Sequence, residues 1–234
     1  MKVDKISTIL IDGKPFSYHD ERGIISFDNN VAMSHESGKR LLFKVKELFS
    51  VKDIRFCLAF GTLLGAIREH DLIKGDEDLD VFTDQEEKLR SSIPWLAEQG
   101  LVVTRVKDGD FYSFRLDEES YIDVYILRPF HFSIWGLWCY CLCDCATPKR
   151  FFKKYQKINF LGEDFLCPSN PEKLVEFWYG KTWRTPIRGH KFYYEVKSRY
   201  YWKYKGKYIK KLLSIFLGDK TESTWKFLKS IAGR

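Results

Sequence analysis

A chain of 234 residues with 44% hydrophobic and 30% charged side chains can bury about 70% of the surface it exposes when unfolded, which excludes disorder and any need for disulfides or structural metal to hold a core. Its formal net charge is +7. Twelve Lys and Arg against three acids between Lys191 and Arg234 give that tail +9 and leave −2 for residues 1–190. The basicity therefore concerns where the protein sits and not the chemistry of its body.

The apolar run between Asp4 and Asp12 is six residues long, too short and too acidic in its flanks for a secretion signal, so a cytoplasmic site is expected. Ile6 to Ile11 and Gly23 to Phe27 flank the turn-forming Asp12-Gly13-Lys14-Pro15 and predict a hairpin or flap within residues 1–33. Leu41, Val45 and Leu48 recur at helical spacing after the cap candidate Ser34, predicting a helix to about Phe49. Ile54 to Phe60 reads as a buried strand, and Gly61-Thr62 opens a short helix through Arg68. A strand over Leu79 to Phe82, a helix over Glu86 to Gln99, and strands over 101–106, 111–116 and 121–127 follow. The fold class this predicts is α+β, a mixed β-sheet flanked by helices.

From Pro129 to Cys143 no Lys, Arg, Asp or Glu occurs, but fifteen residues fall short of the about 20 that span a bilayer. Burial or an interfacial membrane contact fits that run better. Cys139, Cys141, Cys143 and Cys145 alternate and would share one side of an extended strand. Such a row cannot readily wrap a tetrahedral metal, so packing of reduced thiols is the expected role. Asn170 and Pro171 suit the start of a helix carrying Leu174, Val175 and Trp178, and Gly180 suits its end. Ile209, Leu212, Leu213 and Phe216 beside Lys205, Lys210 and Lys211 make residues 191–234 a basic amphipathic helical tail. Its interleaved Trp and Tyr suit an anionic membrane surface, or a solvated helix packed on the domain, better than nucleic acid.

The stretch GTLLGAIREHDLIKGDEDLDVF, residues 61–82, carries the most chemistry. In an extended backbone Asp76, Asp78 and Asp80 project to one side while Leu79 and Val81 face the core. Three carboxylates held side by side repel unless a cation neutralises them, and hard oxygens suit Mg²⁺ or Mn²⁺. The alternative is a solvated acidic loop, against which the interleaved apolar residues count. Strand-to-helix entry at Gly61 and Thr62 offers backbone N–H groups and a hydroxyl to phosphate oxygens. Asp123 stands alone among Ile122, Val124 and Ile126, either on a wet face or as a third carboxylate beside the Asp-x-Asp strand.

GTLLGAIR followed by an acid-x-acid-x-acid run resembles the LicD and fukutin-related family, over roughly Ser34 to Ile187. Phe177-Trp-Tyr-Gly-Lys-Thr-Trp-Arg-Thr-Pro is similar to a later signature of that family. Gly75 stands where the family usually has tryptophan, and Lys74 where it has proline. The resemblance implies a nucleotidyltransferase-like fold over residues 34–190. It also implies transfer of a phospho-substituent, such as phosphocholine or an alditol phosphate, from a CDP-linked donor to a sugar hydroxyl of a cell-surface or lipid-linked glycan. Residue by residue, it gives Gly61 and Thr62 the phosphate-contacting turn, Arg68 the motif arginine, Asp76, Asp78 and Asp80 the acidic run and Asp123 the later carboxylate. Asp78, Asp80 and Asp123 would hold the metal, and Asp123 or Asp76 would take the acceptor's proton. His70, Tyr179, Trp183 and Arg184 are further substrate candidates. A nucleotidyltransferase using the same acids and a non-catalytic glycan- or membrane-binding module are the competing readings.

Overall fold

The computed structural model describes residues 5–21, 31–129, 139–142, 145–186 and 226. Apart from Lys226, the basic tail lies outside them, as do Cys143 and residues 130–138. The chain divides into two compact units, Met1–Phe177 and Trp178–Arg234. This division precedes the boundary near residue 190 expected from composition.

Strands β1 (Lys5–Ile11) and β2 (Lys14–Asp20) form a hairpin whose register closes with Ile11 opposite Lys14. The turn is thus only Asp12-Gly13, at φ 49° and 76°, the left-handed pair that a two-residue hairpin loop requires. This corrects the expected return strand at 23–27. Lys14 and Pro15 belong to the strand, and residues 22–30 lie outside the described set. The hairpin is tied to the rest of its unit by Glu21 N–H on the Thr104 carbonyl at 2.8 Å and by Arg115 on Glu21 at 2.8 Å.

Helix α1 (His35–Val51) begins as expected, with Ser34 Oγ accepting Ser37 N–H. Its buried stripe of Leu41, Leu42, Val45, Leu48 and Phe49 contributes about 1.5–3 kcal/mol for each large side chain removed from water. The predicted strand at 54–60 shrinks to β3 (Cys57–Leu58). Only those two residues pair with β4, and Phe60 has already turned into α2 (Phe60–Arg68).

The central sheet is completed by β4 (Leu79–Thr83), β5 (Val102–Lys107), β6 (Phe111–Arg115) and β7 (Ile122–Ile126), in the order β3-β4-β7-β6-β5. Only β4 and β7 run parallel. Helix α3 (Glu86–Glu98) begins the long crossover between them and buries Leu89, Ile93 and Leu96. Every residue of β4 and β7 is buried, as expected for strands at the middle of a covered sheet. Any polar side chain there is consequently held in a water-poor place.

Beyond the sheet, β8 (Arg128–Pro129), β9 (Cys139–Leu142) and β10 (Cys145–Pro148) make a three-stranded sheet. The cysteine row is broken here: Cys139 and Cys141 lie on β9, whereas Cys145 lies on β10 opposite Leu142. All three are buried, and burial pushes the Cys139 thiol up. A 3₁₀ turn (Lys149–Phe152), a second hairpin of β11 (Tyr155–Phe160) and β12 (Glu163–Pro168), and helix α4 (Pro171–Tyr179) follow. Among the described residues, no helix is long and apolar enough to cross a membrane.

Candidate active site

The site is built around a sharp entry into α2. Ala59 is extended, and Phe60, fully buried, takes φ 31°, a conformation that costs a non-glycine residue about 1–3 kcal/mol. Its ring is pinned edge-on against Tyr125 at 5.2 Å. The turn brings the start of α2 onto β4. Gly61 N–H donates to Asp80 Oδ2 at 2.8 Å, Asp80 N–H donates to Thr62 Oγ1 at 2.7 Å, and Ala59 N–H donates to the Asp80 carbonyl at 3.0 Å. The unsatisfied N–H groups and positive end of a helix favour a carboxylate there. The Gly61 N–H, expected to await a phosphate, is instead engaged by Asp80.

The space around residue 61 calls for glycine. A Cβ would lie 2.7 Å from Asp76 Oδ2 and 3.1 Å from Asp80 Oδ2. Two carboxylates therefore converge on this one residue. Asp76 is held from the other side as well, its carbonyl accepting Met33 N–H at 2.8 Å.

Across the sheet a row of polar residues runs through four strands. Asp80 of β4 pairs in register with Asp123 of β7, Asp123 with Ser113 of β6, and Ser113 with Arg105 of β5. Arg105 reaches that row because the register shifts between Val103 and Arg105. Without this bulge Thr104 would oppose Ser113, and strand alternation would send Arg105 to the other face. Arg105 Nη2 donates to Asp123 Oδ1 and Oδ2 at 2.8 and 3.0 Å, and Nε donates to Ser113 Oγ at 3.2 Å. The Ser113 hydroxyl in turn donates to Asp123 Oδ1, and Tyr125 OH donates to Oδ2 at 3.4 Å. The guanidinium also lies over the rings of Tyr121 and Phe111, at 4.9 and 5.6 Å.

Asp78 stands just ahead of β4, where Leu79 N–H donates to the Tyr121 carbonyl at 3.0 Å. It is 6% exposed. Burial, followed by the charges of Asp80, Asp123 and Asp76, pushes its carboxyl well above the usual carboxylate range, and Arg105 is the weaker opposing influence. The four acids thus share one electrostatic neighbourhood. Hard carboxylate oxygens suit a divalent Mg²⁺ or Mn²⁺ by their chemistry, although among the described residues no group of three or more His, Cys, Asp or Glu side chains is arranged to hold a metal ion.

Arg68 lies at the far end of α2, about 10 Å along the axis from Gly61 at 1.5 Å per residue. It is largely buried and donates from Nε to Glu69 at 2.6 Å. His70 is exposed at φ 55° in the following turn. Tyr179, Trp183 and Arg184 belong to the second unit, where the Arg184 guanidinium lies 4.2 Å over the Trp183 ring. Arg105, Ser113, Tyr121 and Tyr125 were not anticipated. The signal that could have found Arg105 is an arginine in the middle of the strand sequence Val-Val-Thr-Arg-Val-Lys, the mirror of the lone Asp123.

The family model described as LicD/FKTN/FKRP, nucleotidyltransferase domain, matches residues 53–170. The chain belongs to this family. All the acids above and Arg105 fall inside the match. Among curated proteins, the mouse and human ribitol 5-phosphate transferases FKRP are each 28% identical over 138 residues, 54% of this chain. The match spans only 28% of the length of those relatives. An uncharacterized protein of Rickettsia prowazekii (strain Madrid E) is 22% identical over 166 residues, 65% of this chain and 60% of its own. Among solved structures, lincomycin-bound lincosamide adenylyltransferase LnuA aligns with TM-score 0.44 and 11% identity, over 72% of this chain and 97% of that one. The antibiotic-resistance factor ANT(2'')-Ia aligns with TM-score 0.45 and 14% identity, over 86% and 95%.

Proposed function

We propose that this chain is a metal-dependent phosphotransferase that moves a phospho-substituent from a CDP-linked donor to a sugar hydroxyl of a glycan. The observation that supports it is the convergence of Asp76, Asp78, Asp80 and Asp123 on one buried neighbourhood at the start of α2, in a chain of the LicD family. The family's curated relatives are transferases named for ribitol 5-phosphate. Asp78 and Asp80, with Asp123 beside them, are the carboxylates that would hold Mg²⁺ or Mn²⁺. When bound, such an ion would offset the charge of the donor's pyrophosphate and of the departing oxygen.

The chain's own groups divide the remaining work. Asp80 is fixed by the α2 backbone, so its outward oxygens have a defined direction. Asp123 already receives donors on both oxygens, so its carboxylate is engaged within the sheet. Asp76 is half-buried and reachable from solvent, so it is the better candidate to take the acceptor hydroxyl's proton. Arg68 would contribute a planar, permanently charged fork to a phosphate.

Incubation with a panel of CDP-linked donors, an oligosaccharide acceptor and Mg²⁺ is expected to release CMP. Asp78→Asn is expected to reduce release about a thousandfold, several kcal/mol of lost charge stabilisation, with an unchanged circular-dichroism spectrum. CMP release at the normal rate from Asp78→Asn would defeat the scheme. Pyrophosphate from CTP or ATP would instead identify a nucleotidyltransferase built on the same acids.

A further inference from the structure

Arg105 is a cation placed where the sheet has little room for one. Its side chain is 9% exposed, and that of its partner Asp123 is 4% exposed. A buried ion pair adds little net stability compared with apolar side chains of similar size, so stability alone gives weak reason for the β5 bulge that delivers it. The electrostatic surroundings give a better one. Asp123 is one of the charges bearing on Asp78, and Arg105 is a cation bearing on the same group.

Resting on the metal-dependent reading above, we propose that Arg105 is a positioning residue that serves the acidic set as a built-in cation: it fixes Asp123 and offsets its charge beside Asp78 and Asp80, the carboxylates that would hold the divalent ion. Three features carry the assignment. Both Asp123 oxygens accept from one guanidinium nitrogen, and Ser113 links the same two residues a second time through Arg105 Nε and Asp123 Oδ1. The planar head lies over two aromatic rings. The register Arg105–Ser113–Asp123–Asp80 puts the cation at one end of the row and the acids at the other. Arg105 could not reach a substrate without releasing Asp123, so its action is through that carboxylate.

Mn²⁺ binding, measured by calorimetry and by electron paramagnetic resonance, tests this apart from activity. Arg105→Gln removes a positive charge from the set. It is expected to bind Mn²⁺ about tenfold more tightly than the unaltered protein, or to take up a second ion, while transfer slows because Asp123 is no longer fixed. Arg105→Lys retains the charge and is expected to keep the original Mn²⁺ affinity and stoichiometry. A purely structural arginine would leave Mn²⁺ binding unchanged or weaken it.

Where Arg105→Gln does not fold, the comparison moves to Asp123→Asn with and without Arg105→Gln, since a Gln–Asn pair buries no net charge. The double variant is expected to bind Mn²⁺ about tenfold more tightly than Asp123→Asn alone, which strands the guanidinium beside the remaining acids. Equal affinities overturn the role of Arg105 and leave the metal site standing. No Mn²⁺ uptake by any of these proteins, the unaltered chain included, overturns the metal reading and this inference together.

Discussion

Asp80 and Asp123 stand side by side on parallel strands, yet they are held by different means. Asp80 is held by backbone: the Gly61 N–H takes its carboxylate and the Thr62 hydroxyl takes its own N–H, all within twenty residues of chain. Asp123 is held by side chains from two other strands, a guanidinium and a hydroxyl delivered by β5 and β6. The Gly61 and Thr62 contacts of Asp80 are with neutral groups, whereas the Arg105 contact of Asp123 is with a permanent cation.

Truncation in the metal-free protein should expose that contrast most strongly. Asp123→Ala strands a buried guanidinium and is expected to cost about 3–5 kcal/mol of unfolding free energy. Asp80→Ala removes one of the charges that crowd Asp78 while losing a helix-start hydrogen bond. These effects oppose, and a net cost under about 1 kcal/mol is expected. Chemical denaturation of both variants in EDTA provides the measurement. Equal costs would show that the two carboxylates are held alike after all.

A smaller effect should come from Gly61. Alanine there would press a methyl against Asp76 Oδ2 and Asp80 Oδ2, and both carboxylates must give way. The helix itself tolerates alanine well, so the fold should persist. Mn²⁺ affinity is expected to fall about tenfold, since a displacement of that size disturbs ligand geometry by roughly 1.4 kcal/mol. Calorimetry on a variant with an unaltered melting curve checks this, and wild-type affinity would mean that the backbone at Gly61 does not set the acids' position.

The same contrast governs what could be read from the chain. Asp76, Asp78, Asp80, Gly61 and Thr62 lie within one short stretch whose alternation and turn chemistry are local, helix α1 carries an ordinary serine cap, and α1 and α3 carry apolar stripes. Arg105 and Ser113 meet Asp123 only through strand pairing across 18 and 10 residues and a bulge at Thr104 that no local propensity marks. The β11–β12 hairpin was hidden for a similar reason. Its turn is Leu161-Gly162, with leucine at φ 55°, where sequence patterns lead one to look for Asn or Asp before the glycine. The expected strand at 54–60 failed because apolar composition does not distinguish a pairing residue from one already turning into a helix.

The smallest expected effect concerns a control carboxylate outside the acidic set. Asp117, on the loop between β6 and β7, resembles Asp123 in being held by side chains: Ser37 Oγ donates at 2.6 and 2.8 Å, and Arg40 donates as well. Burial pulls its carboxyl up, but the hydrogen bonds from Ser37, from Glu119 N–H and from Arg40 outweigh it, holding the group below its ordinary 3.8. A depressed folded value means that the stabilisation is fully present above pH 3.8 and is lost as the pH falls through the lower folded value. Asp117→Asn is therefore expected to cost about 1 kcal/mol at neutral pH, with the gap from the unaltered protein closing as the solution is acidified below pH 4. Mn²⁺ affinity should be untouched, because Asp117 anchors α1 and does not bear on Asp78. A change in metal binding with this variant would mean that the acidic set reaches further along the sheet than the row from Arg105 to Asp80.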